Sequence, residues 1–272
     1  MLKITIGQYY HADSPIHRLD ARIKLLCTIA FITVLFFIGN FAGYGLAAIY
    51  LLAVIKASKV PPRFLFRGLR AIIFIIAFTA FLNIFFTTGG NVLLHFGPVR
   101  ITEYGLANAA RMAVRLVMLV VGSSLLTLTT TPIQLTDAIE FSLKPFKKIG
   151  VPAHEIAMMM TIALRFIPTL VEEMDKIMKA QMARGADFDT GGIIKKAKSL
   201  VPLLVPLFIS SFRRADDLAM AMEARCYRGD VGRTRMKQMK MKARDFKALG
   251  ALCVFIALVF VIEFFAGRLG IW

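Results

Sequence analysis

The sequence has few acidic residues and few cysteines, and it lacks the common catalytic motifs. Its 272 residues include 17 Asp and Glu against 34 Lys and Arg. The three cysteines form neither a CxxC pair nor a Cys/His pattern, which disfavours a zinc site and a disulfide framework. The patterns GxxxxGK[ST], HExxH and GxSxG do not occur. The sequence therefore predicts no P-loop nucleotide binding, no catalytic activity and no cofactor or metal.

Hydrophobic residues dominate what is present. They make up 57% of the chain, with 23 Phe, a composition typical of membrane proteins. The N-terminus does not show the apolar core of a signal peptide. The net charge of +17 could suggest nucleic-acid binding, but the basic residues flank apolar runs. Such placement indicates contact with anionic lipids at the cytoplasmic face of a bilayer.

The first apolar run extends over 31 charge-free residues, Leu25 to Ile55. Gly39 and Asn40 interrupt it, together with Gly43 and Gly45, and basic residues flank both of its ends. Because equal positive flanks place both ends on the same side, this run predicts a hairpin of two short spans.

Three more spans are predicted, over Leu69–Phe86, Leu106–Thr130 and Ala248–Ala266. Gly89-Gly90-Asn91 and Pro98 predict an outer loop between the third and fourth spans. With five spans and an inner N-terminus, 30 of the 34 Lys and Arg lie on the inner side. This distribution agrees with the positive-inside rule.

The segment 132–247 is not predicted to contain further transmembrane spans. Ser199–Phe212 is charge-free but has only 14 residues, too few to cross a bilayer. The helix predicted before it has an apolar stripe with a 3.6-residue period from Ile156 to Met178 and a charged opposite face. A basic run, Arg233–Lys247, leads into the last span. We expect an amphipathic platform on the cytoplasmic surface, bent at Pro168, Pro202 and Pro206.

Two long predicted helices in this segment each end on an Ala-Arg pair, Ala183-Arg184 and Ala224-Arg225. Turn residues follow, Gly185 in the first case and Gly229 in the second. One interpretation is that each terminal Arg only complements the helix dipole. The other is that a small Ala beside a planar guanidinium lets the helix end enter a groove and pair with a carboxylate.

Six stretches of the sequence form a recognisable set of motifs: Met182-Ala183-Arg184-Gly185-Ala186, Ala221 to Gly229, Asp13 to Asp20, Ser124 to Thr127, Ala163 to Pro168 and Ser211 to Asp217. Together they resemble the transmembrane T component of energy-coupling factor (ECF) transporters. The resemblance covers nearly the whole chain and implies a non-catalytic subunit of an ABC-type importer for vitamins or other micronutrients. It departs from the family pattern at Cys226, where Gly is expected, so either Cys226 takes a left-handed backbone or the turn moves to Gly229.

The resemblance also implies partners and sites. Two ABC-type ATPase subunits dock on the helix ends, and the residues assigned to this role are Ala183, Arg184, Gly185, Ala224, Arg225 and Cys226. A substrate-binding membrane S component rests on the platform, and the residues assigned to this contact are Met159, Met160, Leu164, Leu203, Leu204, Leu207 and Phe208.

Polar residues elsewhere have simpler interpretations. His11, Asp13, His17 and Asp20 fit no standard metal spacing, so we interpret them as a solvated capping segment.

Ionisable residues inside the spans are interpreted as structural. Arg111 and Arg115 could bind an anion, but snorkelling or pairing with Glu103 is simpler. Glu263, an acid within a span, is predicted to pair with Arg268.

The predicted fold is an all-α integral membrane protein with about five transmembrane helices and a cytoplasmic coupling domain of amphipathic helices. The predicted parts are a membrane domain 1–131, a coupling domain 132–247 and a last transmembrane helix 248–272, in a multi-pass protein of the plasma membrane. The alternatives are a self-contained permease, an integral-membrane enzyme such as a lipid transferase, and a scaffold for unrelated partners. Few polar groups lie at mid-membrane in this arrangement, which disfavours the permease.

Overall fold

The computed structural model describes residues 9–87, 92–96, 99–186, 188, 192–229 and 241–269. Within them the fold is almost wholly helical, which confirms the all-α prediction. The helices are α1 (Ala21–Phe37), α2 (Phe41–Ser58), α3 (Pro62–Phe86), α4 (Glu103–Thr129), α5 (Pro132–Leu143), α6 (Ala153–Ala183), α7 (Ile193–Ala224) and α8 (Ala243–Leu269), with a 3-10 helix at Lys144–Ile149.

The chain forms two compact units. One contains residues 139–238, and the other contains residues 8–138 together with 239–272. The first therefore holds α6 and α7, and the second holds α1–α4 and α8. Helix α5 contains the boundary between the two units.

The predicted hairpin in the first apolar run is present as α1 and α2. Asp20 caps α1 by accepting a hydrogen bond from the Arg22 amide (3.0 Å). Asn40 caps α2 in the same way, through the Gly43 amide (2.7 Å). The interruption therefore lies at Gly39 and Asn40, whereas Gly43 continues the second helix.

The other predicted spans lie within longer helices. Helix α3 begins at Pro62, since proline lacks an N–H and is well tolerated in the first turn of a helix. Helix α4 begins after Thr102, whose hydroxyl accepts from the Gly105 amide (3.1 Å).

The connection between α3 and α4 differs from the predicted loop. Two short antiparallel strands, β1 (Val92–Phe96) and β2 (Val99–Thr102), pair with Phe96 opposite Val99. The predicted turn residues Gly89-Gly90-Asn91, Pro98 and part of the basic run, 233–240, lie outside the described residues.

Five helices among the described residues are long and apolar enough to cross a membrane. They are Phe41–Ser58, Pro62–Phe86, Glu103–Thr129, Ala153–Ala183 and Ala243–Ala266. This set differs from the predicted spans, because it includes α6 and omits α1, which has 17 residues. Helix α6 has the lowest hydropathy of the five, 1.3, and it carries charged residues along one face. We therefore propose that α6 is an amphipathic platform helix.

Among the described residues, the core of the second unit is mainly apolar and includes a buried lysine. Leu35, Ile38 and Val259 are at most 1% exposed. Lys24 is also buried, and its ammonium donates to the carbonyl oxygens of Thr129 (2.8 Å) and His17 (3.1 Å). These contacts satisfy a cation that would otherwise be costly to bury.

The α1–α2 turn is held by charged side chains from distant helices. Glu263 accepts hydrogen bonds from the amides of Gly39 (2.9 Å) and Asn40 (3.4 Å). The predicted Glu263–Arg268 ion pair is therefore wrong, and the Arg268 guanidinium lies instead over the Phe264 ring (5.0 Å).

The predicted pairing of Arg111 and Arg115 with Glu103 was also wrong, whereas their snorkelling stays a prediction. Arg111 donates to the carbonyl of Gly39 (2.8 Å), and Arg115 donates to the carbonyl of Ile38 (3.0 Å) and to the Tyr44 hydroxyl (2.8 Å). Both guanidinium groups are thus bound to the turn. Neither is paired with Glu103 within the described part of the chain.

The polar N-terminal segment forms hydrogen bonds and an ion pair among its own side chains and backbone, and the predicted capping role is seen at Asp20. Asp13 pairs with Arg18, which lowers the pKa of the Asp13 carboxyl. The ring of His17 lies between the Ser14 hydroxyl (2.7 Å) and the Tyr10 carbonyl (3.0 Å). Since a carbonyl only accepts, Nε2 is the donor and Nδ1 accepts from Ser14. Burial lowers the pKa of His17, which favours this neutral form.

Candidate coupling site: two arginine-capped helix ends

Helix α6 ends in a Schellman cap. Arg184 is the C-cap residue, and Gly185 follows in the left-handed conformation (φ 87°). The amides of Gly185 and Ala186 donate to the carbonyls of Met182 and Gln181, each at 3.0 Å. These two bonds are the pair that defines the motif, and they satisfy carbonyls that a helix end otherwise leaves open.

Helix α7 ends in the same cap. Arg225 is its C-cap residue, and Cys226 takes the left-handed conformation (φ 55°). The amides of Cys226 and Tyr227 donate to the carbonyls of Glu223 (2.8 Å) and Met222 (3.0 Å). The turn has therefore not moved to a later glycine. Cys226 occupies the left-handed position itself, although an L side chain there is strained.

The two caps place the same residue types in the same positions. In each, alanine is the last helical residue, arginine is the C-cap and the left-handed residue follows. All six residues assigned to this site are exposed: Ala183, Arg184, Gly185, Ala224, Arg225 and Cys226. Among the described residues neither guanidinium has an ion-pair partner. Each lies at the negative end of a helix dipole, which contributes about 0.3–1 kcal/mol.

The two ends are far apart along α6. Arg184 follows its last residue, whereas the Tyr227 hydroxyl, two residues after Arg225, lies 3.5 Å from Nε2 of His154 at its start. Helix α6 has 31 residues, about 46 Å at 1.5 Å per residue. The arrangement therefore presents two cationic ends at opposite ends of one long helix.

The residues assigned to the S-component contact differ in exposure. Met159, Leu204 and Phe208 are 59%, 55% and 64% exposed. The others are half-buried, with one exception: Met160, Leu164 and Leu207 are intermediate, and Leu203 is buried at 4%. Leu203 therefore packs inside its unit and is not part of the exposed surface.

One polar contact in the unit of residues 139–238 was not predicted from the sequence. Glu173 of α6 accepts hydrogen bonds from Ser210 (2.5 Å) and Arg214 (2.6 Å) of α7. The four-residue spacing of Ser210 and Arg214 puts both on one helix face, but the sequence alone does not say which of several acids on α6 they meet. We call these three residues the clamp.

The chain is similar to a family of known transport proteins. A family model described as "Cobalt transport protein" matches residues 12–238. A protein of Thermosediminibacter oceani is 59% identical over 93% of this chain and 97% of its own length, and one of Clostridium kluyveri is 58% identical over 93% of each. One of Bacillus subtilis is 45% identical over 97% of this chain and 99% of its own.

All three relatives are named "Energy-coupling factor transporter transmembrane protein EcfT". The family match covers most of the chain, and the relatives cover nearly all of it. These findings confirm the resemblance that the motifs indicated. The chain belongs to the family of energy-coupling factor transporter transmembrane proteins.

Proposed function

We propose that this chain is the coupling T component of an ECF-type ABC importer. It carries ATP-driven movement from two ATPase subunits to a substrate-binding S component, and it catalyses no reaction itself. The single observation that carries the proposal is the pair of matching arginine caps on helices of 31 and 32 residues. The names of the relatives support it at the level of the transporter class.

Each arginine is proposed as an anchor for one ATPase. A guanidinium presents donors in a planar fork that matches a carboxylate, and the preceding alanine leaves room for a groove wall. Docking would remove both groups from water. Truncating one partner of such a desolvated charge pair costs about 2–5 kcal/mol.

The exposed apolar side chains before the caps are proposed to receive the S component. Met159, Leu204 and Phe208 carry most of this exposed area among the assigned residues. A flexible thioether and large apolar groups can pack against different partner surfaces. Substrate choice then belongs to the S component, and vitamins or other micronutrients are the proposed cargo.

The proposed location is the plasma membrane, with the N-terminus and segment 132–247 on the cytoplasmic side. The distribution of Lys and Arg supports this orientation, because 30 of the 34 lie on the inner side of the proposed topology.

A docking assay tests the proposal. The chain is co-expressed with the two ATPases and the S component, and the ATPases that co-purify are quantified. Arg184→Ala and Arg225→Ala are each expected to weaken ATPase binding at least about 30-fold, the equivalent of about 2 kcal/mol. Arg63→Ala and Arg244→Ala are the matched controls, since both are exposed arginines outside the caps and outside the motifs that carry the resemblance.

Two further results would decide against the proposal. One is wild-type ATPase recovery with the double variant Arg184→Ala/Arg225→Ala. The other is substrate flux through proteoliposomes that contain this chain alone, which would make it a self-contained permease.

The thiol of Cys226 offers an independent readout. It is exposed beside Arg225, so ATPase docking should protect it from a membrane-impermeant maleimide. Unchanged labelling in the full complex would place this helix end outside the interface.

A further inference from the structure

Glu173 joins α6 to α7 through both of its carboxylate oxygens. Oε1 accepts from the Ser210 hydroxyl (2.5 Å), and Oε2 accepts from Nη2 of Arg214 (2.6 Å). Ser210 and Arg214 lie on consecutive turns of α7. A carboxylate that holds two consecutive turns fixes the axial register of the helices, because a slip of one turn would move α7 by about 5.4 Å and could bring at most one of the two side chains back to Glu173.

The stabilising free energy of this contact is small, so its effect is geometric. The side chains of Glu173 and Arg214 are 23% and 40% exposed, and partly exposed ion pairs add little to stability. A fixed register does not require a large free energy. It requires that the alternative registers lack the same pair of contacts.

The clamp lies at equal distances from the two arginine caps. Glu173 precedes Arg184 by eleven residues, and Arg214 precedes Arg225 by eleven. Eleven residues of α-helix span about 16 Å, or three turns. We call the part of each helix on either side of the clamp an arm. The two arms that lead to the arginines therefore have the same length, and each arginine lies on the same helix face as the clamp residue of its helix.

The helices differ on the two sides of the clamp. From Glu173 to Arg184, and from Arg214 to Arg225, no proline or glycine occurs. On the other side, α6 contains Pro168. Proline removes a helical hydrogen bond and allows bending.

Helix α7 shows the same division. Pro202 and Pro206 both lie before Ser210. Leu204 and Phe208, two exposed residues assigned to the S-component contact, are on this proline-containing side. In both helices the clamp thus separates a proline-free arm that ends in an arginine cap from a proline-containing arm that carries residues assigned to the S-component contact.

We propose that the clamp is the fulcrum of the coupling unit: Glu173, Ser210 and Arg214 are positioning residues that set the distance between the two arginine caps. This inference rests on the proposed function for its role in transport, whereas the spacing itself can be measured without partners. The proline-free arms carry a displacement of the caps to the clamp, and the proline-containing arms convert it into movement of the residues assigned to the S-component contact.

The spacing is tested by double electron–electron resonance on the full chain in nanodiscs. Spin labels are placed at Lys179→Cys and Ala221→Cys, exposed sites near the ends of the arms, with Cys27, Cys226 and Cys253 changed to Ser. Glu173→Gln and Arg214→Ala are each expected to broaden the distance distribution or shift it by about 5 Å, one helical turn. The reversed pair Glu173→Arg/Arg214→Glu is expected to restore a narrow peak.

Matched controls change a neighbouring charge. Glu172→Gln and Arg213→Ala remove exposed charges next to the clamp and should leave the distribution unchanged. The inference is overturned if Glu173→Gln and Arg214→Ala also leave it unchanged, or if the controls broaden it equally.

A transport measurement distinguishes failure of the fulcrum from failure of the proposed docking function. In proteoliposomes of the whole complex, Glu173→Gln should retain bound ATPases and lower substrate uptake per ATP hydrolysed about fivefold or more, the low end of the usual range of coupling factors. Wild-type uptake per ATP in this variant would overturn the fulcrum. The proposed docking role of Arg184 and Arg225 is tested by a different measurement, the amount of ATPase that co-purifies. The fulcrum and the docking role can therefore each fail without the other.

Discussion

The two caps differ in the residue at the left-handed position, and this difference predicts opposite effects of substitution. Gly185 has φ 87°, and Cys226 has φ 55°. An L residue in this conformation costs about 1–2 kcal/mol relative to its preferred backbone, whereas glycine does not incur this cost. Replacing Cys226 by Gly should therefore stabilise the α7 cap, and replacing Gly185 by Ala should destabilise the α6 cap.

The magnitude follows from two opposing terms. Glycine removes the strain at position 226 but gives the unfolded chain more freedom, which costs about 0.4–1 kcal/mol. The net gain for Cys226→Gly is about 0.5–1 kcal/mol. At Gly185 a Cβ would meet no atom within 4 Å, so no clash adds to the backbone term. Gly185→Ala should accordingly lose about the same amount.

Amide hydrogen exchange measures this effect locally. The amides at positions 226 and 227 are protected by the cap bonds to the carbonyls of Glu223 and Met222. A gain of about 0.5–1 kcal/mol slows their exchange by about two- to fivefold. Cys226→Ala is the control, because it removes the thiol and keeps the strain. Equal exchange rates in Cys226→Gly and Cys226→Ala would refute the strain argument.

Three other contacts of the second unit give predictions. Glu263→Gln removes the charge that accepts two amides of the α1–α2 turn and should lower the free energy of unfolding by about 1–2 kcal/mol, seen as a lower midpoint in thermal unfolding. Asp245 is 4% exposed and accepts from the amides of Asp20 (2.9 Å) and Lys242 (2.7 Å), so Asp245→Asn should cost about 1.5–3 kcal/mol in the same assay. Because burial lowers the pKa of His17, its contribution to stability is complete above about pH 6.5 and is lost as the pH falls through the lowered pKa. Limited proteolysis of the N-terminal segment from pH 8 to 5 measures this loss, and His17→Asn should remove the dependence.

Features encoded by neighbouring residues were predictable from the sequence. Gly39 and Asn40 interrupt a charge-free run, and the hairpin turn lies there because Asn40 is a good N-cap residue. The end of α6 followed from Gly185, which takes a left-handed backbone without strain. In both cases the signal and its structural effect lie within a few residues.

Features that depend on distant backbone groups were not predictable. Glu263 binds amides 224 and 223 residues away, and Arg111 binds a carbonyl 72 residues away. A search for charged partners along the sequence misses them, since every residue offers an amide and a carbonyl. The clamp was missed for a related reason, because Glu173 is only one of several acids on its helix.

The position of the left-handed residue explains how an arginine at a helix end could transmit force. The last turn of a helix usually frays, because its final carbonyls have no partners within the helix. A C-cap side chain on a fraying turn has no fixed direction, and displacement of that side chain would unwind the turn before it moved the helix. In both caps two further hydrogen bonds close the last turn, and both require a left-handed residue directly after the arginine. If Arg184 and Arg225 carry force, a left-handed residue is therefore needed at 185 and 226. Both residues meet that requirement, Gly185 without backbone strain and Cys226 with it.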